Sequence, residues 1–231
     1  MTALAPSPQT ARDRRRRDLV WCFGLLGALL LWDYSAFDLD VMRGLAGPAG
    51  FVWRDHWLTT VVLHQGGRAV GWAVFAALVG QLWRPLPFAR DVPLAERRWW
   101  LATCVLCLLA IPLLKHASLT SCPWSLAEFG GNARYVSHWA LGVSDGGGGG
   151  CFPSGHASAA FAFLAGYFAL RERHPVAARR WLAGVIGMGL VFSLGQTLRG
   201  AHYVSHTLWT AWICLALTTA SHHGWRAWRR A

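Results

Sequence analysis

A short run of residues near position 155 combines groups that can bind an anion and move a proton. Pro153, Ser154, Gly155 and His156 lie between a five-glycine run and an apolar segment that predicts a helix over about residues 157–170. The first amide groups of a helix lack helical partners and lie at the positive end of its dipole, which favours an anion. The serine adds a hydroxyl, and the imidazole exchanges protons near neutral pH. The same string is also compatible with an ordinary helix start and a capping histidine.

More basic and imidazole side chains stand at the ends of two other apolar segments. Lys115 is the only lysine of the chain and ends one segment, where it could simply extend toward a membrane interface. Gln196, Arg199, His202 and His206 follow another segment at intervals of three, three and four. These intervals predict one shared helical face if a helix continues through them. The two histidines could bind zinc only with a third ligand, and no His-Glu-x-x-His pattern supplies one.

The composition favours a membrane protein over a soluble domain. Of the 231 residues 54% are hydrophobic and 14% are charged, against roughly 25% charged residues in soluble domains. The net charge of +11 comes from arginines clustered between apolar segments, and no nucleic-acid motif accompanies them, so we expect no nucleic-acid partner. Six segments approach the ~20 residues that span a bilayer, namely 19–32 (extended toward 37), 69–82, 99–114, 152–170, 181–198 and 203–221.

The arginine clusters predict the orientation of these segments. Cytoplasmic loops are enriched in Lys and Arg, and the clusters lie at both termini and in the second and fourth connections. Six transmembrane helices with both ends inside satisfy every cluster. We therefore predict an all-α, polytopic, multi-pass protein of a bacterial-type inner (plasma) membrane. Its parts are a disordered cytoplasmic basic tail (1–17), a single membrane domain (18–222) with an outer loop (116–152), and a second cytoplasmic basic tail (223–231).

Three sequence blocks resemble those of the type 2 phosphatidic acid phosphatase superfamily. The family pattern is Lys-x6-Arg-Pro, then Pro-Ser-Gly-His, then Ser-Arg-x5-His-x3-Asp. Lys115 begins the first block, the second block matches fully at Pro153–His156, and His202 lies at the third-block histidine. The resemblance covers about residues 95–220 and implies a six-span helical bundle with its active site on the periplasmic or exterior side.

Three positions depart from the family pattern. Cys122 replaces the first-block arginine, Gln196 replaces the third-block arginine, and His206 replaces the aspartate that orients the nucleophilic histidine. Arg199, one helical turn after Gln196, can supply the missing positive charge. A neutral His206 can still select the tautomer of His202 by accepting a hydrogen bond from it.

The resemblance implies a phosphatase that needs no metal or other cofactor. His202 would attack phosphorus and form a phosphohistidine, while His156 would protonate the leaving oxygen. Phosphoryl transfer needs such a nucleophile, an acid, and positive charge around the equatorial oxygens. The groups expected to bind those oxygens are Lys115, Ser154, Gly155 and Arg199.

The expected partner is the bilayer and, within it, a lipid with a phosphate or pyrophosphate headgroup. Two alternatives to hydrolysis remain open from the sequence. The phosphohistidine could pass its phosphoryl group to another lipid, which would make the protein a phosphotransferase. The changed family positions are also compatible with a non-enzymatic membrane scaffold, although Lys115, His156 and His202 are all retained.

Two of the six cysteines lie outside the apolar segments. Cys122 and Cys151 bracket the predicted outer loop, on a side where disulfides persist. A bridge between them would close a loop of about 29 residues and stabilise the fold by roughly 3–4 kcal/mol in the chain-entropy model. We predict this disulfide, with two free thiols as the alternative. The other four cysteines fall in apolar segments and are expected to be small buried hydrophobes, at Cys22, Cys104, Cys107 and Cys214.

Overall fold

The computed structural model describes residues 8–231 and is mostly helical, which confirms the predicted helical class. Its two-residue strands β1 (Ala46–Gly47) and β2 (Gly50–Phe51) form a small antiparallel hairpin. A π-helix covers Leu58–Gly66, and a 3-10 turn at Ala162–Leu164 joins the fifth and sixth α-helices. The α-helices are α1 (Pro8–Tyr34), α2 (Phe37–Leu45), α3 (Gly67–Gly80), α4 (Leu94–Ala117), α5 (Ser158–Phe161), α6 (Ala165–Leu170), α7 (Pro175–Leu198) and α8 (Val204–Trp228).

The main core lies where α4, α6, α7 and α8 meet. Trp100 of α4 is fully buried there, and its ring packs edge-on against Trp181 of α7. Gly166 of α6 allows this contact, because an added Cβ would lie 2.3 Å from the Trp181 indole nitrogen. Proline begins α7 at Pro175, a position where the missing N–H leaves no helical hydrogen bond unmade.

Candidate membrane spans are fewer than the sequence predicts. Within residues 8–231, α4 and α7 are long and apolar enough to cross a bilayer, and α1 with α2 is a third candidate bent by 66°. Two other predicted spans do not form long helices. The predicted span 69–82 corresponds to α3, which has only 14 residues, and the predicted span 152–170 is interrupted by the 3-10 turn. Two to three spans are therefore supported, and the count of six stays a prediction.

The N-terminal basic segment is helical instead of disordered. Residues 8–17 belong to α1, while residues 1–7 lie outside the described part of the chain. A long-range contact helps to order this helical segment. Arg14 lies 3.2 Å from Glu172, which is in the connection between α6 and α7. Arginine also has a high helix propensity. The prediction of a disordered tail is wrong for residues 8–17.

Three carboxylates bring the basic clusters together at one end of the bundle, which we call the charged end. Each carboxylate binds basic groups from other segments of the chain. The four arginine clusters therefore meet on one side, as the predicted orientation requires. The pairs of the charged end are Glu172 with Arg14 and Arg226, Asp18 with Arg171 and His223, and Glu96 with Arg173.

Candidate active site

The Pro-Ser-Gly-His turn is tied to α8 by two backbone contacts. The Ser154 amide donates to the carbonyl of His206 at 3.1 Å, and the Ser154 carbonyl accepts from the Thr210 hydroxyl at 2.9 Å. The Ser154 amide is therefore not free for an anion, contrary to the simplest helix-terminus interpretation. Its hydroxyl is different: Ser154 is fully buried, and Oγ has no hydrogen-bond partner among residues 8–231.

Gly155 lets the Lys115 side chain pass close to this turn. A Cβ at Gly155 would lie 3.4 Å from Cδ of Lys115. Lys115 ends α4 and is partly buried. Its positive charge reaches the predicted nucleophile, where it lowers the pKa of His202. The first and second sequence blocks are thus in contact, and the first and third are electrostatically coupled.

His156 lies in the turn before α5 and contacts the π-helix. Its Nε2 lies 3.2 Å from the Leu63 carbonyl, and its ring stacks on His64 with centroids 4.6 Å apart. A carbonyl only accepts hydrogen bonds, so Nε2 carries the proton. Burial lowers the pKa of His156 to about 4, the Leu63 carbonyl opposes this shift, and the charges of His64, Arg68 and Arg199 add to it.

A sharp turn separates α7 from α8 and positions His202. The helix ends at Leu198 and restarts at Val204, so Gln196 to His206 do not form one continuous helical face. Gly200 makes the turn with a φ of +68°. The ring of Phe51 fills the space beside it, because a Cβ at Gly200 would lie 2.3 Å from that ring. The condition for one shared helical face, a helix that continues through this junction, is therefore not met.

His202 is almost fully buried against Cys151. Its exposed fraction is 5%, and its Nδ1 lies 3.5 Å from Cys151 Sγ. Burial holds the pKa of His202 well below its usual value, and the charges of Lys115 and His156 lower it further. The His206 ring lies 5.8 Å from the His202 ring, and within residues 8–231 the two share no hydrogen bond. The orienting role assigned to His206 stays a prediction.

Arg199 brings a positive charge beside Gln196. Its Nη1 lies 3.5 Å from the Gln196 side-chain oxygen, and its Nε donates to the Arg54 carbonyl at 2.8 Å. The guanidinium also lies 5.5 Å from the Trp124 ring centroid. Gln196 itself is buried, and its amide nitrogen has no partner among the described residues. Arg199 is thus held by backbone and ring contacts next to the position where the family has its arginine.

Residues before the three sequence blocks also build this site, and sequence reasoning missed them. His64 and the Leu63 carbonyl contact His156 from the π-helix, in a segment that lies between the first two predicted spans. Asp38 of α2 accepts the Ser205 amide at 3.0 Å and so caps the start of α8. The available signal was weak: several polar or acidic side chains follow the first apolar segment.

Asp33, a partly buried acid of α1, also supports the site. Its Oδ2 accepts hydrogen bonds from three ring nitrogens, those of His138 at 3.3 Å, Trp139 at 3.0 Å and Trp209 at 2.7 Å. The His138 ring in turn stacks on Phe152 at 4.2 Å. Asp33 thus joins α1 and α8 to the 116–152 connection.

The glycine-rich 116–152 connection is ordered by one carboxylate and one bridge. Asp145 is buried and accepts from the Ser121 amide, the Ser121 hydroxyl at 3.0 Å and the Gly147 amide at 2.9 Å. The sulfur atoms of Cys122 and Cys151 are bonded in the structure. The bridge lies directly beside the Pro-Ser-Gly-His turn. Formation of this disulfide in the cell stays a prediction, which chemical analysis of the two thiols would test.

Three histidines, a lysine, an arginine and an unpaired buried hydroxyl lie at one end of the helical bundle, an arrangement that can bind an anion and move protons. We call this group the histidine end, and its members are His64, Lys115, Ser154, His156, Arg199 and His202. The family model of the PAP2 superfamily matches residues 97–230, and the chain belongs to this superfamily.

Members of the superfamily are phosphatases, which supports a general phosphoric ester hydrolase activity for this chain. No curated protein and no solved structure matches the chain. The family match includes all three sequence blocks and leaves α1 to α3 outside it. His64, Asp33 and Asp38 therefore lie in the part of the chain that the family model does not describe.

Proposed function

We propose that this protein is a metal-independent lipid phosphatase that removes phosphate from a phosphorylated or pyrophosphorylated lipid through a phosphohistidine on His202. The observation that carries the proposal is the charge at the histidine end. Lys115 and Arg199 form no ion pair among residues 8–231, and they lie near two imidazoles and the unpartnered hydroxyl of Ser154. Fixed cations and hydrogen-bond donors are what a transferring phosphoryl group needs.

The first chemical step uses Nε2 of His202. Its Nδ1 lies against Cys151 Sγ, so Nε2 is the nitrogen that attacks phosphorus. The new N–P bond forms as the bond between phosphorus and the lipid oxygen breaks. Burial keeps the pKa of His202 low, so the ring is neutral at pH 7 and its lone pair is available for attack.

His156 moves the proton in both steps. Its Nε2–H is held by the Leu63 carbonyl, so Nδ1 is the nitrogen that takes up a second proton when the ring becomes an imidazolium, and it then donates that proton to the lipid oxygen. A pKa of about 4 keeps the empty site neutral, and the negative phosphate that binds beside it raises that pKa. In the second step water attacks phosphorus, His156 accepts its proton, and the N–P bond breaks to release inorganic phosphate.

A hydrophobic groove beside the site supports a lipid substrate. Its volume is about 740 Å³, and it lies between α3, α5 and α7, within the size range of small-molecule sites. One wall includes Phe192, whose ring lies 5.5 Å from that of His156. A hydrocarbon tail in this groove would leave its phosphate at the histidine end. Other lining residues are Val70, Val74, Phe163, Val185 and Met188.

We also propose that the histidine end faces the periplasm or the exterior. The charged end gathers the arginine clusters, and such clusters favour the cytoplasmic side. The paired Cys122 and Cys151 lie with the histidine end, and disulfides persist outside the cytoplasm.

Phosphate release from a panel of lipids tests the proposal. The purified protein in detergent is given phosphatidate, phosphatidylglycerol phosphate, a polyprenyl pyrophosphate and lipid A, each with and without a second lipid as acceptor. Release of inorganic phosphate without acceptor is the expected result, and the His202→Ala protein, prepared identically, reports contaminating phosphatase. Phosphate that appears only on an acceptor lipid would make the protein a phosphotransferase. No turnover with any lipid would favour a scaffold.

A further inference from the structure

Three potential metal ligands meet beside the proposed nucleophile. The sulfur atoms of Cys122 and Cys151 and a ring nitrogen of His202 all lie within 4.8 Å of one another. They come from three separate segments: the start of the 3-10 turn at Pro123–Ser125, the residue before the 152–156 turn, and the turn between α7 and α8. Two sulfurs and one imidazole are ligands that Zn²⁺ prefers.

The spacing of two of these ligands already suits a tetrahedral zinc site. Zinc binds sulfur at about 2.3 Å and histidine nitrogen at about 2.0–2.1 Å, which places a sulfur and a nitrogen about 3.5 Å apart at a tetrahedral angle. Cys151 Sγ and His202 Nδ1 are 3.5 Å apart. Only Cys122 needs to shift, because its sulfur is bonded to that of Cys151. The fourth zinc position would be taken by water.

The state of the bridge decides whether these ligands are available. A bonded sulfur pair carries no thiolate, and thiolate is the form that binds metal. Cys122 is partly exposed while Cys151 is fully buried, so a dithiol reductant attacks at Cys122 Sγ. The S–S bond breaks, Cys151 leaves as a thiolate beside His202, and the second thiol of the reductant releases Cys122 as a thiol.

We propose that reduction of the Cys122–Cys151 bridge creates an inhibitory site for Zn²⁺, formed by the two cysteines and Nδ1 of His202. Metal at Nδ1 takes that lone pair and leaves the proton of the neutral ring on Nε2. Without a lone pair, Nε2 cannot attack phosphorus. The oxidised bridge would thus keep the nucleophile free, and a reducing environment with zinc would inactivate it. The inhibition rests on the proposed phosphatase function, whereas the metal binding does not.

Cobalt spectroscopy tests the site independently of activity. The full-length protein in detergent is titrated with Co²⁺ as isolated, after oxidation, and after reduction with a phosphine, which unlike a dithiol competes little for metal. Reduced protein is expected to bind one equivalent of Co²⁺ with sulfur-to-cobalt charge-transfer and tetrahedral d–d absorption, and Zn²⁺ should displace it. Oxidised protein should give neither band. If free thiols persist in protein from an oxidising compartment, the bands should appear without reductant.

Three variants assign the ligands. Cys122→Ser/Cys151→Ser should lose the charge-transfer band, and His202→Gln should weaken Co²⁺ binding by at least about 10-fold. Cys104→Ala/Cys214→Ala removes two other buried thiols and should bind Co²⁺ like the wild type. Equal Co²⁺ binding by oxidised and reduced protein, or an unchanged band in Cys122→Ser/Cys151→Ser, would overturn the assignment.

Phosphate release, measured in the same samples, completes the test. Zn²⁺ at one equivalent should lower the rate of reduced wild-type protein by at least about 10-fold, the effect expected when the nucleophilic lone pair is blocked, and should leave the oxidised protein unaffected. Equal inhibition of both forms would place the inhibitory metal elsewhere. If wild-type protein releases no phosphate in any state, the proposed function fails while the cobalt spectrum still decides the metal site.

Discussion

The two ends of the bundle arrange their ionisable groups in opposite ways. At the charged end, Asp18, Glu96 and Glu172 each bind basic side chains from other segments. At the histidine end, Lys115 and Arg199 have no carboxylate partner among residues 8–231. Paired charges largely cancel, whereas unpaired cations near a buried hydroxyl remain ready for a negative ligand.

Charged side chains thus hold segments together at the charged end, whereas those at the histidine end are available to a ligand. The charged end joins the N-terminus, two connections and the C-terminus, so its interactions hold segments together. The histidine end is held instead by contacts that do not use Lys115, such as Asp38 capping α8 and the Leu63 carbonyl on His156. Lys115 is thereby spared from a structural role. Substitutions at the histidine end should therefore change activity, and those at the charged end should change stability.

The largest effect is expected for the nucleophile. His202→Ala should abolish both lipid turnover and the phosphoenzyme, because it removes the ring nitrogen to which phosphorus would be bonded. Rapid acid-free quenching with radiolabelled lipid measures the covalent intermediate. Exposed His116 provides a matched control, and His116→Ala should retain both. A His202→Ala protein with near-normal turnover would remove His202 from the nucleophilic role.

The next largest effect is expected for the proton-transfer group. His156→Ala should slow turnover by at least ~100-fold, the lower bound for general acid catalysis. The phosphoenzyme should persist longer in this variant, since water attack also needs His156. His64→Phe keeps a ring stacked on His156 and removes only the ring nitrogens of His64, so its loss of rate should be much smaller. Single-turnover kinetics compare the two, and equal losses would show that the ring nitrogens of His64 are needed as much as His156 itself.

A moderate effect is expected for Arg199, which lies one helical turn after the position of the family's arginine. Arg199→Ala should lower kcat/KM by roughly 10- to 100-fold, the range for losing a hydrogen bond to a charged group. Arg199→Lys keeps the charge but loses the planar fork, so it should restore only part of the rate. Gln196→Ala supplies the comparison. Greater loss from Gln196→Ala than from Arg199→Ala would assign phosphate binding to Gln196.

The sequence singles out several side chains that the structure places at one end of the bundle, but it does so only through local pattern. Lys115, His156 and His202 stand out because ionisable groups are unusual at the ends of apolar segments. The shape of the turn at Gly200 could not be predicted, because a glycine between two apolar segments does not by itself reveal a φ of +68°. The helical N-terminal segment was missed because its partner, Glu172, is more than 150 residues away in the chain.

The contribution of α1 to α3 had even less signal in the sequence. The ring of His64 stacks on His156 because the π-helix packs against the turn that holds His156. The two segments are far apart in the chain, with Leu63 and His156 separated by 93 positions, so no spacing rule predicts the contact. Asp33 is recognisable as an acid after an apolar segment, but its three ring nitrogen donors come from the 116–152 connection and α8. Support of this kind becomes visible only when the chain is folded.

The smallest effect on activity, and a clear effect on stability, is expected at the charged end. Glu172 is mostly buried and binds Arg14 and Arg226, so Glu172→Gln leaves two cations without their carboxylate. This should destabilise the protein by about 1–3 kcal/mol, between the values for exposed and buried ion pairs, while turnover per folded molecule stays near wild type.

Glu128→Gln is the matched control for that prediction, because Glu128 pairs with Arg43 in an exposed position. An exposed pair contributes about 0.2–1 kcal/mol, so this variant should unfold close to the wild-type midpoint. Thermal unfolding in detergent and phosphate release, measured on the same preparations, compare the two carboxylates. A Glu172→Gln protein with normal stability and impaired turnover would contradict the separation of roles, since it would couple the charged end to the chemistry at the histidine end.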